Sequence, residues 1–318
     1  MLMGKIITGT FLDGLAADIP SNNWCREDWR RQFDNMKSLG MDTVIIIRVG
    51  FGESAMYNSK VMPTVLHPEE DMVEVMFDEA DRTDLKVYLG LYDSVKYWVK
   101  NDWKTEVDIN IELIDEMWER YKGHKSFHGW YMSHEGGVEN MMPMIWKPLG
   151  QKVKKLDIAK KVLVSPRYAG EKWCGPISFI TPELHYRHFD YVFGEMEGLI
   201  DEAAFMDGHT LFKSLKGFVE ATSEICKKYN IAFWSNLETF DRDVAWCFPP
   251  IEWTKMKFKL EVVQPYVEKI ITFEAPHFLS PYSTYPAAGN LYDRYVEYIK
   301  AAGYEFEPVL ARTGAKNR

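Results

Sequence analysis

The residues best suited to chemistry in this chain are glutamates that close short apolar runs. Glu135 ends the stretch His128-Gly129-Trp130-Tyr131-Met132-Ser133-His134-Glu135, and Glu238 ends Phe233-Trp234-Ser235-Asn236-Leu237-Glu238. Glu195 and Glu197 stand one residue apart in Gly194-Glu195-Met196-Glu197-Gly198. Two carboxyl groups facing one bond are what glycosidic cleavage requires. One protonates the departing oxygen; the other stabilises the oxocarbenium-like centre, attacks it, or activates water. In extended backbone Glu135 shares a side with Tyr131 and Ser133, and Glu238 with Trp234 and Asn236. Glu135 is therefore expected as proton donor and Glu238 as nucleophile or base. Glu195 and Glu197 compete with them, because adjacent acids raise each other's pKa and so favour an acid catalyst.

Other polar residues at the ends of apolar runs are candidate substrate ligands: Asp13, Arg48, Tyr92 with Asp93, Arg167, Glu274 and His277. Tyr131, His134, Trp234 and Asn236 join them as neighbours of the two glutamates. Arg48 and Arg167 read equally well as partners of a carboxylate in a salt bridge, and Glu274 as a sugar ligand or as the acid that holds Arg48. Trp98, Trp103, Trp173 and Trp246 fall in or near loops, where a flat ring can stack on a sugar or simply cover the rim of a core. No His/acid spacing of the H-E-x-x-H kind is present, so no metal or other cofactor is expected. Ser133 and Ser165 lack the nucleophile-elbow pattern of serine hydrolases.

The elements that must carry these residues alternate between short apolar runs and amphipathic segments. Strands are expected at Lys5–Leu12, Thr43–Ile47, Lys86–Tyr92, His128–Ser133, Lys161–Arg167, Asp190–Gly194, Ile231–Asn236 and Lys269–Phe273. Helical spacing lies between them: Trp29, Phe33 and Met36; a segment opened by Pro68; Leu113, Met117 and Tyr121; a segment ending near Leu156. A short helix near Pro182, helices from Thr210 and Pro250, and one through Leu291, Tyr295 and Ile299 complete the series. Eight strand-then-helix units, without a G-x-G-x-x-G after the first strand, predict a single (β/α)8 barrel over residues 1–318 rather than an open doubly wound sheet. In such barrels the site lies where strands end and βα loops begin.

Composition narrows the ligand. A formal charge of −9 gives no footprint for nucleic acid, and a neutral sugar is a more natural ligand than an anionic polymer. Aromatic residues make up 14%, including 11 Trp and 17 Tyr, which suits the apolar faces of sugar rings. Cys25, Cys174, Cys226 and Cys247 have no metal or disulfide spacing and are expected as thiols. No apolar run reaches membrane-spanning length. Without a secretory leader the expectation is a cytoplasmic protein, or a secreted one whose leader has been removed.

Three blocks, Thr8-Gly9-Thr10-Phe11-Leu12-Asp13, Asp18-Ile19-Pro20-Ser21-Asn22-Asn23-Trp24 and Met36 to Thr43, resemble a bacterial family of uncharacterised domains frequent in gut bacteria. The Gly129-Trp130-Tyr131 to Glu135 segment and Ile271-Thr272-Phe273-Glu274-Ala275-Pro276-His277 with Ser280-Pro281 extend the resemblance over nearly the whole chain. It implies a barrel of the glycoside hydrolase kind and a role in glycan breakdown, with no catalytic pair carried over. The family pattern implies Gln-Asp-Gly where Glu195-Met196-Glu197-Gly198 is read here. The leading expectation is a two-carboxylate glycoside hydrolase acting on a carbohydrate. The alternatives are a non-catalytic sugar-binding barrel, or a metal-dependent hydrolase or deacetylase using His134 or His277.

Overall fold

A computed structural model describes residues 5–15, 20–62, 64–65, 68–137, 141–172, 180–243 and 248–305. Eight parallel strands close a barrel: β1 (Ile7–Leu12), β2 (Thr43–Ile46), β3 (Lys86–Gly90), β4 (Phe127–Tyr131), β5 (Lys161–Val164), β6 (Glu202–Met206), β7 (Ala232–Glu238) and β8 (Lys269–Phe273). Each pairs with the next, and β1 pairs with β8 to complete the ring. Helices α1 (Arg26–Ser38), α2 (Met72–Thr83), α3 (Trp103–Tyr121), α4 (Pro143–Leu156), α5 (Pro182–Glu195), α6 (Phe212–Lys228), α7 (Trp253–Val263) and α8 (Pro286–Ala301) pack outside it. The single (β/α)8 barrel expected from the alternation is the fold. No helix among the described residues is long and apolar enough to cross a membrane.

Two expected boundaries change for physical reasons. Asp71, not Pro68, starts α2, because its carboxylate accepts the main-chain N–H groups of Val73 and Glu74 at 3.0 Å each. The run Asp190-Tyr191-Val192-Phe193-Gly194, read as strand six, is the last part of α5, where His185, Phe189, Val192 and Phe193 fall on one buried helical face. The true sixth strand is Glu202-Ala203-Ala204-Phe205-Met206, buried on both faces. Its alanines carry little strand propensity, and burial against β5 and β7 decides the conformation instead.

This shift moves Glu195 and Glu197. Glu195 is the last residue of α5, exposed and 3.2 Å from Lys147, and Glu197 follows in an exposed turn. Helices of this fold run back from the strand C-termini, so both acids lie at the opposite end of the barrel from the mouth. They do not belong to a site there.

Inside the ring, Phe11, Ile45, Ile47, Tyr88, Tyr131, Leu163, Ala204, Trp234 and Ile271 form one packed cluster. A larger cluster fills the layer between strands and helices. Trp234 faces inward as alternation requires, but four residues before Glu238 it lies about 13 Å below that strand end at ~3.3 Å per residue. Its ring packs edge-on to Tyr88 at 5.8 Å, with Lys269 Nζ 5.6 Å from its face. It plugs the floor of the barrel and is not a sugar ligand. A separate small sheet of Gly50–Phe51, Ser54–Ala55, Thr64–Val65 and Tyr92–Asp93 joins the loops after β2 and β3, which alternation did not foretell. Replacing Trp234 by Ala is expected to destabilise the protein by about 3–5 kcal/mol in urea unfolding. Ligand affinity per folded molecule should not change, and weakened binding at unchanged stability would contradict the placement.

Candidate active site

The end of β4 is set by alternation. Tyr131 points into the barrel, and its hydroxyl donates to Glu135 Oε1 at 2.8 Å across one turn of chain. Ser133 donates to the Ile47 carbonyl at 2.6 Å and accepts from the Leu91 N–H at 2.7 Å, pinning β4 to the ends of β2 and β3. His134 falls on the other side. It is fully buried, its Nε2 lies 2.8 Å from Glu106 Oε1, and no sugar reaches it. Glu106 also binds Ser94 through both the N–H and the hydroxyl of that residue. Asp93 accepts from Trp98 Nε1 at 2.7 Å and from the Val95 N–H at 2.9 Å. Asp93, Glu106 and His134 bring ligand-capable atoms within 4.8 Å of one another. Protein donors already occupy those carboxylates, so the cluster is a hydrogen-bonded knot behind the rim. Trp98 and Trp103 are half-buried rim cover, and the Tyr92 hydroxyl is committed to the Gly52 carbonyl at 2.7 Å. Trp173 and Trp246 lie outside the described residues.

Beside Glu135, Arg48 donates to Asp13 Oδ2 at 2.9 Å and lies 4.2 Å from the centre of the Phe51 ring. Asp13, rather than Glu274, therefore holds this arginine. Glu274 is fully buried: it accepts from the Asp13 N–H at 3.0 Å and pairs with His277 Nδ1, on which Trp24 stacks at 4.9 Å. Glu274 and His277 support the loop that carries Asp13; neither is placed to meet a sugar hydroxyl. Arg167 Nη1 donates to the Glu135 carbonyl at 2.9 Å, fixing the turn from which the carboxylate projects.

At the end of β7, Glu238 lies above Asn236, whose amide donates to Ser165 Oγ at 3.2 Å within the barrel. Both carboxylate oxygens of Glu238 accept from Arg242, at 2.7 Å each. The neighbouring strand end supplies Asp207, and α7 supplies the buried Lys259, whose Nζ lies 2.7 Å from Asp207 Oδ1. Sequence reading missed Asp207, Lys259 and Arg242. The one available signal was Met206-Asp207-Gly208. It has the Asp-Gly half of the family pattern at the true end of β6, and a Cβ at Gly208 would fall 1.7 Å from Glu238 Oε2.

Glu135 and Glu238 are linked through Arg242, which grips the Glu238 carboxylate and whose charge also reaches Glu135. A chain of rings runs between the two strand ends: Tyr131 against Phe11 at 5.1 Å, Phe11 against Phe273 at 6.2 Å, and Phe273 against Phe240 at 5.9 Å. Arg242 closes the chain, 4.9 Å from the Phe240 ring and 5.6 Å from that of the exposed Phe248. Its charge is felt by Glu238, Glu135 and Asp207 together. Burial pushes the Glu135 carboxyl above its ordinary value, although Arg48, Tyr131 and Arg167 pull it down. Burial acts on Glu238 too, but the charge and hydrogen bonds of Arg242, with Lys259 behind, hold that carboxyl below its ordinary value. Two acids whose environments push them apart are the arrangement that acid–base catalysis needs. Burial, then Arg242, hold the nearby His209 down to about 4, so it is neutral near pH 7.

Glycoside hydrolases are among the enzymes built on closed parallel barrels with carboxylates at the strand ends. The chain belongs to the family described as a domain of unknown function, DUF4434, whose model matches residues 7–285. A crystal structure of a protein described as a candidate alpha-L-fucosidase from Bacteroides thetaiotaomicron VPI-5482 is 35% identical, covers 94% of each chain and superposes with a TM-score of 0.88. An intracellular xylanase from Thermoanaerobacterium saccharolyticum is 9% identical, with 89% of this chain and 94% of that one covered and a TM-score of 0.52. An endo-alpha-mannosidase from Bacteroides thetaiotaomicron is 11% identical, with 88% and 81% covered and a TM-score of 0.51. These last two share the fold alone. No curated protein matches the sequence.

The Tyr131 hydroxyl stabilises the ionised form of Glu135, so Tyr131→Phe should move the Glu135 titration to higher pH. Carboxyl 13C NMR on glutamate-labelled protein reads this directly; a shift to lower pH would contradict the hydrogen bond.

Proposed function

We propose that this chain hydrolyses an O-glycosidic bond, with Glu135 as general acid and Glu238 as nucleophile or base. The observation that carries the reading is that the Tyr131 hydroxyl bonds one glutamate and Arg242 forks onto the other, with a chain of rings running between them. A carboxyl raised by burial holds its proton to higher pH than a free one does, which suits delivery to a leaving oxygen. A carboxylate gripped by a forked arginine stays charged and oriented, ready to meet positive charge at the anomeric carbon. The rings of Phe273 and Phe248 offer apolar surface to the CH face of a sugar. The relative described as a candidate alpha-L-fucosidase makes α-L-fucosides the first substrates to try.

A panel of aryl and natural glycosides, led by α-L-fucosides, tests the proposal; 1H NMR of the first-formed anomer then assigns retention or inversion. Glu135→Gln is expected to lower the rate by about 10²–10⁴-fold on poor leaving groups and much less on 2,4-dinitrophenyl glycosides, which depart without a proton. Glu238→Gln should be equally damaging on both. Glu195→Gln and Glu197→Gln should leave the rate unchanged. No cleavage of any glycoside by the wild-type protein, or equal sensitivity of Glu135→Gln to every leaving group, would overturn these assignments.

A further inference from the structure

Asp207 and Lys259 have no part in the chemistry just described, yet both are buried against Glu238. The last ladder pair between β6 and β7 is Met206 with Asn236. Beyond it β6 no longer offers main-chain partners to Glu238, the final residue of β7. The Asp207 side chain takes over: its Oδ1 accepts from the Glu238 N–H at 3.2 Å. Lys259 reaches in from α7 and donates both to that same Oδ1 at 2.7 Å and to the Glu238 carbonyl at 3.1 Å. One ion pair thus holds the N–H and the C=O of the residue whose side chain Arg242 grips.

We propose that Asp207 and Lys259 form a positioning pair that fixes the main chain of Glu238 and so aims its carboxylate at the reacting centre. The proposal rests on the reading of Glu238 as nucleophile or base. A buried ammonium and a buried carboxylate both need further partners, and here the two main-chain groups they take are the N–H and C=O of Glu238.

The charges make the pair testable. Glu238 faces Arg242 from its own loop, Lys259 from α7, and Asp207 and His209 from the segment after β6. Lys259→Gln removes a positive charge, so Glu238 should titrate at higher pH, and the acid limb of kcat/KM should move up with it. Asp207→Asn removes a negative charge, and the same limb should move down. Both variants break one ion pair; the opposed shifts report the charges beside Glu238, and a fall in kcat at unchanged KM reports the aim of its carboxylate. Asparagine fits the site, because Asp207 Oδ1 carries the contacts while Oδ2 has no hydrogen-bond partner among the described residues.

In the full chain, kcat on the best glycoside should fall by about tenfold in Asp207→Asn and on the order of 10²-fold in Lys259→Gln, with KM near wild type. Carboxyl 13C NMR of Glu238, assigned with Glu238→Gln, should show the opposed titration shifts without reliance on turnover. If the wild type cleaves no glycoside, the hydrolase reading falls, and the 1H–15N signal of the Glu238 amide still decides the pair, because it must move when either partner is replaced. If Lys259→Gln does not fold, the wild type decides: the Glu238 signal must respond in the step that protonates Asp207. Shifts of one sign in both variants, no shift, or a Glu238 signal indifferent to Asp207 would overturn the proposal.

Discussion

Burying negative charge at the rim of a parallel barrel is the constraint on which this structure turns. An unmatched carboxylate in such a place costs several kcal/mol, and the protein meets that cost one strand end at a time. Asp13 has Arg48, Glu106 has His134, Asp207 has Lys259, Glu238 has Arg242 and Glu274 has His277. Glu135 differs. Its carboxylate is bonded by the phenol of Tyr131, while Arg48 and Arg167 act on it through Coulomb attraction. Its one hydrogen-bonded side-chain partner is therefore neutral, and burial outweighs the distant charges to raise its carboxyl.

The same pairings explain how the mouth holds its shape. Asp13 is fixed by Glu274, Arg48 by Asp13, and the turn at Glu135 by Arg167, so supports run across the ends of β8, β1, β2, β4 and β5. The small sheet of Gly50–Phe51 and Tyr92–Asp93 stiffens the loops between them. Residues expected to touch sugar, namely Glu274, His277, His134 and Tyr92, serve this framework instead.

The barrel was legible because seven of its strands are short runs rich in β-branched and aromatic residues with helical spacing between them. The sixth was not: Glu202–Met206 is alanine-rich, and the apolar end of α5 imitates a strand more closely than the strand itself does. That single slip moved the expected acids from Asp207 to Glu195 and Glu197. Alternation placed Glu135 with Tyr131, and Glu238 with Asn236. His134 and Trp234 were expected as sugar ligands; strict alternation would have set His134 on the outer face, and the distance from the strand end would have set Trp234 in the core. Arg242 and Lys259 were beyond reach. One sits in a loop four residues past β7, the other on α7, and only the fold brings them to the same glutamate.

Gly208 carries an implication for sorting sequences by chemistry. Any side chain there would occupy the space of the Glu238 carboxylate. A related chain with a larger residue at this position must move that carboxylate or Arg242 aside, so the one letter there sorts relatives by how the glutamate at the end of β7 is held.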